Sequence, residues 1–179
     1  MVDWKALEDI FHAHGLEDFK RLDPRKIIVS TWVRMKCQFG CSEYGRTASC
    51  PPQVPAIDDC RLFFQEYEAG AVFHFQKSVA KPEDRYAWAR TVNRELLRVE
   101  REVFLSGYEK AFLLFLDSCN LCPECSVRRE ACKLPEQARP TPEALGVDVF
   151  ATMSRLGYPL QVLRDYDQPM DRYAFLLIE

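Results

Sequence analysis

Seven of the chain's eight cysteines fall in two short stretches, three between Cys37 and Pro55 and four between Cys119 and Cys132. No other feature limits the chain as strongly. With 179 residues and 47% hydrophobic content it can bury a full core without covalent staples. Eight cysteines, about 4.5% of the chain, are too few for a disulfide scaffold. The opening Met-Val-Asp-Trp-Lys-Ala-Leu-Glu-Asp-Ile has no basic start followed by an apolar stretch. No secretory signal is therefore expected, and a cytoplasmic location with reduced thiols is. Clustered cysteines in that setting point to metal or redox chemistry.

Charge and hydropathy narrow the partners. A formal charge of −3 gives no broad attraction to nucleic acid or to anionic lipid. The longest purely apolar run, Ala111 to Leu116, falls far short of the ~20 residues of a membrane-spanning helix. The expected partner is a redox protein, with no nucleic acid and no membrane; the sequence says nothing of oligomeric state.

Periodicity places the cysteines on a framework. Asp3 to His14 reads as a helix with a stripe of Trp4, Leu7, Ile10 and Phe11. Lys26 to Lys36 alternates and reads as a first strand, leading straight into the first cysteine loop at Cys37 to Pro55. A helix over Asp58 to Glu68, a strand over Ala71 to Gln76 and a long helix from Pro82 to near Gly107 follow. A third strand, Ala111 to Asp117, is apolar on both faces and reads as central. It leads into the second cysteine loop. Thr141 opens another helix that stops at Gly157. Strand four is expected at Leu160 to Tyr166, a hairpin loop at Asp167 to Asp171 and strand five at Arg172 to Ile178. The expectation is one mixed α/β domain over residues 1–179 with two cysteine motifs, 37–60 and 119–132. It has about five strands, largely parallel with a C-terminal hairpin. Helices pack on the sheet, and both cysteine loops lie at strand ends.

The second loop spells C-x2-C-x2-C-x6-C through Cys119, Cys122, Cys125 and Cys132. Three thiolates two residues apart can wrap one side of a cubane, and bacterial ferredoxins use a similar run with a shorter last gap. Structural zinc sites more often pair two C-x2-C knuckles across a longer stretch, so zinc is the second reading. Arg128, Arg129, Lys133 and Arg139 could offset the charge of an anionic cluster, or form a solvated basic surface.

The first loop spells C-x3-C-x8-C through Cys37, Cys41 and Cys50, with Gly40 and Gly45 to permit tight turns and Arg34, Lys36 and Arg46 close by. Cys60 follows ten residues later near a helix start. It shares a face with Ile57, Phe63 and Phe64, and so reads as core rather than ligand. Without Cys60 a cubane at this loop keeps one iron open to a substrate or an external ligand. His12, His14 and His74 are not spaced with the cysteines and read as structural or exposed. There is no G-x-G-x-x-G, no Walker loop and no G-x-S-x-G elbow.

Three motifs taken together are specific: K-C-x3-C-x2-Y-G-R-x3-C-P-P, C-x2-C-x2-C-x6-C-K-x-P and R-P-T-P-E-A-x-G-V-D-V. They resemble a family of predicted metal-binding proteins, a cysteine-rich domain-of-unknown-function family frequent in anaerobic bacteria and archaea. The resemblance runs from about Arg34 to the C-terminus. It implies metal binding, as iron–sulfur, at Cys37, Cys41, Cys50, Cys119, Cys122, Cys125 and Cys132, and leaves Cys60 outside the motif. Arg139, Glu143 and Asp148 match the third motif, and their own pattern reads as a capped helix start with a paired charge.

The expected function is an iron–sulfur protein with one or two [4Fe–4S] clusters, serving electron transfer rather than catalysis. The alternatives are a cluster enzyme with an open iron and a zinc-stabilised interaction module.

Overall fold

Residues 2–158, 160–165 and 168–179 are described by a computed structural model. Strands β1 (Phe19–Leu22), β2 (Gly70–Lys77), β3 (Phe112–Leu114) and β4 (Met170–Leu177) form one sheet in the order β1-β2-β4-β3. Every pairing is antiparallel. This corrects the expectation of about five largely parallel strands. The reason lies in β4. Strands β2 and β3 do run in the same direction, as a strand–helix–strand unit should. But β4 inserts between them and pairs with both, from Gly70↔Leu177 to Lys77↔Met170 on one side and from Phe112↔Leu177 on the other. The result is a split β-α-β arrangement.

Helices lie on both faces. On one, α1 (Trp4–Ala13) and α4 (Asp84–Leu105) bury Leu7, Phe11, Leu96 and Val103 against Phe73, Leu113 and Leu176. Asp3 caps α1 by accepting the Ala6 N–H at 3.1 Å. On the other face, α3 (Ile57–Gln65) and α5 (Val149–Arg155) bury Cys60, Phe64 and Met153 against Val72, Phe175 and Leu177. Strand β3 is an edge strand and not the central one expected. Its outer side is nonetheless sealed: Leu113 N–H donates to Glu100 Oε1 at 2.8 Å, Phe115 N–H to the Pro140 carbonyl at 2.9 Å and Leu116 N–H to Asn93 Oδ1 at 3.4 Å. Edge amides satisfied in this way offer no template to another chain.

Three further expectations are corrected. Lys26 to Lys36 is not a strand; Val29 makes one bridge to Val147, and Thr31–Gly40 is helix α2. Over so short a window the alternation also fits a helix, since Val33 and Cys37 are four apart, and Arg34, Met35 and Lys36 are strong helix formers. The helix expected from Thr141 is broken. Thr141 Oγ1 accepts the Ala144 N–H at 3.1 Å and starts a 3-10 turn over Glu143–Leu145. Gly146 then turns left-handed at φ 80, and α5 starts afresh under an Asp148 cap. Residues 160–165 carry no strand, and Tyr166 and Asp167 lie outside the described residues. No helix among the described residues is long and apolar enough to cross a membrane.

Gly146 is the pivot of that break. A Cβ there would collide with Ile57 Cδ1 and press on Val29, in a backbone conformation that L side chains rarely adopt. Gly146→Ala is expected to cost roughly 2 kcal/mol or more. An unchanged urea midpoint would contradict this.

The histidines are structural, as expected. His74 sits between Asp18 Oδ2 at 2.6 Å and Asp171 Oδ1 at 2.8 Å, stacked on Tyr173. His14 joins α1 to α4 through Glu95 Oε1 at 2.6 Å and Glu102 Oε2 at 2.8 Å. Hydrogen bonds to Glu102 and Glu95 raise its affinity for a proton above that of an ordinary imidazole. The stabilisation is therefore complete below the unfolded value near 6.5 and is lost as pH rises through the folded one. Wild type should lose more stability than His14→Gln between pH 6 and pH 9 in urea titrations. Parallel losses would remove this assignment.

Candidate metal centre

The C-x3-C spacing is itself a helical spacing. Cys37 lies in the last turn of α2 and Cys41 caps it, so both thiols leave one end of one helix. Cys50 is brought back to them by the turn that follows. Gly45, at φ 70, allows its own N–H to reach the Pro51 carbonyl at 2.9 Å and closes the loop. Gly40, expected to turn, is instead the last residue of α2. Cys37, Cys41 and Cys50 then line one cavity of about 560 Å3. Glu143 also lines this cavity, its backbone carbonyl 3.9 Å from Cys37 Sγ. The Glu143 side chain is exposed to the cavity.

The second loop leaves the end of β3. Cys119, Cys122, Cys125 and Cys132 border a single small void of about 20 Å3, closed by Ala48, Leu121, Leu134 and Ala138. Two backbone amides point at one of these sulfurs: Ala48 N–H and Val127 N–H each reach Cys125 Sγ at 3.4 Å. Val127 holds φ 67, which a β-branched residue rarely adopts, and that conformation accompanies its amide bond to the sulfur.

The two loops meet. Ala48 belongs to the first and Cys125 to the second, and Arg129 N–H donates across the same seam to Gln53 Oε1 at 3.2 Å. Burial pushes the Cys50 thiol up to about 11, partly offset by the Thr47 hydroxyl, with smaller contributions from the charges of Cys41, Cys37 and Cys119. Burial also raises Cys119, opposed by the Leu121 amide and the Ser49 hydroxyl. Cys37 is raised first by burial and then by Cys41. Thr47 and Ser49 are buried, with their hydroxyls turned toward the Cys50 and Cys119 thiols. Sequence reasoning passed over both, because a serine or threonine in a loop carries no spacing signal.

All eight cysteines are free. Cys60 is 2% exposed on α3, in the core beside Phe64 and Leu145, with Sγ 3.7 Å from the Pro55 carbonyl. It does not join the cavity of Cys37, Cys41 and Cys50. Among the described residues, no three Cys, His, Asp or Glu side chains close around a single point tightly enough to grip one ion. The sulfurs border voids instead.

The basic residues divide. Arg139 is committed to buried Glu100, Nε to Oε1 at 2.9 Å, a partner on α4 rather than in its own motif. Arg129 bonds the Pro135 carbonyl at 2.8 Å and Lys133 the Glu124 carbonyl at 3.4 Å, so both brace the second loop. Arg128 is exposed beside Glu130. Arg34 ties α2 to the Ala144 carbonyl at 2.9 Å, and Lys36 lies over the Trp32 ring.

A family profile described as a predicted metal-binding protein (DUF2284) matches residues 20–178, which includes every cysteine. No curated protein and no solved structure matches the chain.

Proposed function

Because the chain belongs to the DUF2284 family of predicted metal-binding proteins, we propose that both its cysteine loops hold iron–sulfur clusters and that it passes electrons to a redox partner. In this reading Cys119, Cys122, Cys125 and Cys132 bind one [4Fe–4S] cluster, and Cys37, Cys41 and Cys50 bind a second. The observation that carries it is the gathering of four cysteine sulfurs at one place in the second loop, with two backbone amides aimed at Cys125 Sγ. An all-sulfur donor set suits a cluster or zinc and does not suit the hard cations. Amide donors to a ligand sulfur are a recognised means of tuning a cluster's potential.

A bound cluster would supply a one-electron couple. The chain's own residues do the rest. Leu121, Leu134 and Ala138 supply an apolar side to the space beside the four sulfurs. The amides of Ala48 and Val127 favour charge on Cys125, and Cys50 lies near enough to Cys119 to feel its charge. Two sites so placed can exchange an electron without a mobile carrier. A second reading, an open metal centre acting on a small molecule, is favoured by the large cavity that borders the three-cysteine site.

Purification without oxygen, with iron, acid-labile sulfide and zinc counted on one sample, tests the proposal. Coloured protein holding iron and sulfide in equal amounts is expected, bleached reversibly by a reductant. Colourless protein with stoichiometric zinc would replace it with the interaction-module reading.

A further inference from the structure

Eight buried side-chain polar atoms among the described residues have no hydrogen-bond partner, and three of them belong to residues lining the same cavity: Arg85 Nε, Asp117 Oδ2 and Tyr173 Oη. Such atoms are rare in native proteins and call for an explanation, a missing ligand among them. The residues come from α4, the end of β3 and β4, so the fold gathers them from three distant segments. Arg85 Nε and Asp117 Oδ2 stand 3.5 Å apart, an ion pair too long to be a hydrogen bond, and each keeps its capacity unused. Tyr173 is 4% exposed, and burial lifts its phenol to about 12, so it stays a donor at neutral pH. The cavity's volume, about 560 Å3, lies within the ~300–1,000 Å3 of small-molecule sites. Much of the remaining wall is apolar, with Trp32, Val147 and Phe150 prominent.

These groups define a ligand. Two donors, Arg85 Nε–H and Tyr173 O–H, suit a carboxylate. One acceptor, Asp117 Oδ2, suits a hydroxyl or amine beside that carboxylate. The apolar wall suits a hydrocarbon side chain. We infer that the cavity binds a small 2-hydroxy or 2-amino carboxylic acid with an apolar side chain, its head group held by Arg85, Asp117 and Tyr173. The ligand's place beside a metal rests on the reading of Cys37, Cys41 and Cys50 given above; the head-group contacts do not.

Calorimetric titration of the anaerobically purified protein with L-leucine, with L-2-hydroxy-4-methylpentanoate and with 4-methylpentanoate tests this. One of the first two should bind saturably, and which of them does so tells amine from hydroxyl. The third lacks the neighbouring donor and should bind about tenfold more weakly or worse. Tyr173→Phe should weaken binding by about tenfold with metal content and melting temperature unchanged, and Asp117→Asn should abolish the preference over 4-methylpentanoate. No binding by any probe, equal binding by all three, or undiminished binding in Tyr173→Phe would overturn the inference. Protein with metal and no acid binding sinks the pocket and leaves the metal reading standing. Selective binding by protein that takes up no metal does the reverse.

Discussion

Cys122→Ser is expected to strip the second loop of its metal while the first loop keeps its own. Iron should fall by about half if both loops are filled, with sulfide falling in step. Stability should fall too, because the loop has little else to hold it. Residues 119–132 contain one 3-10 turn and no longer regular element, and their sulfurs border a void rather than a packed core. Metal–ligand free energy there is folding free energy. A loss of at least ~3 kcal/mol is expected, which lowers the melting temperature by roughly 6–12 °C in a chain of this size. Cys60→Ala is the control. Its thiol is buried in the core and lines neither the cavity of Cys37, Cys41 and Cys50 nor the void of the second loop, so the variant should keep all its metal and lose only packing, about 1–2 kcal/mol. Unchanged iron and zinc in Cys122→Ser, or halved metal in Cys60→Ala, would reassign the ligands.

Glu100→Ala should be nearly as damaging with no metal involved. Glu100 is 5% exposed on α4, and one oxygen, Oε1, accepts from both Leu113 N–H and Arg139 Nε. Truncation leaves a buried edge-strand amide without its partner and takes the carboxylate from a half-buried guanidinium, a loss of about 2–3 kcal/mol. Glu100→Gln keeps an acceptor and loses the charge, and should fall between. Combining Glu100→Ala with Arg139→Met should recover part of the loss, since the stranded charge is then gone. Denaturant midpoints measure all three. A double variant less stable than Glu100→Ala would mean that Arg139 contributes through other contacts, such as its bonds to the Glu136 and Ala138 carbonyls.

The cysteine grouping was legible because it is local. Spacing alone divided seven cysteines into the two sets that the fold then gathers round two separate voids, and it left Cys60 to the core. Helices with a clear apolar stripe, such as α1 and α4, were legible for the same reason. Failures occurred where a distant neighbour decides. Gly146 breaks its helix by turning left-handed where Ile57 and Val29 leave no room for a side chain, and neither is near it in sequence. Lys26 to Lys36 alternates but packs as a helix, and the C-x3-C spacing held the better clue. Arg85, Asp117 and Tyr173 carry no shared pattern, so their meeting in one cavity could only be seen in three dimensions.

The insertion of β4 between β2 and β3 has a consequence for the timing of synthesis. Chains emerge from the ribosome N-terminus first, and β4 comes later than either strand it joins. Until it appears, β2 lacks one partner and β3 has none. A nascent chain therefore presents both cysteine loops to the cell before the strand that unites the sheet beneath them has been made.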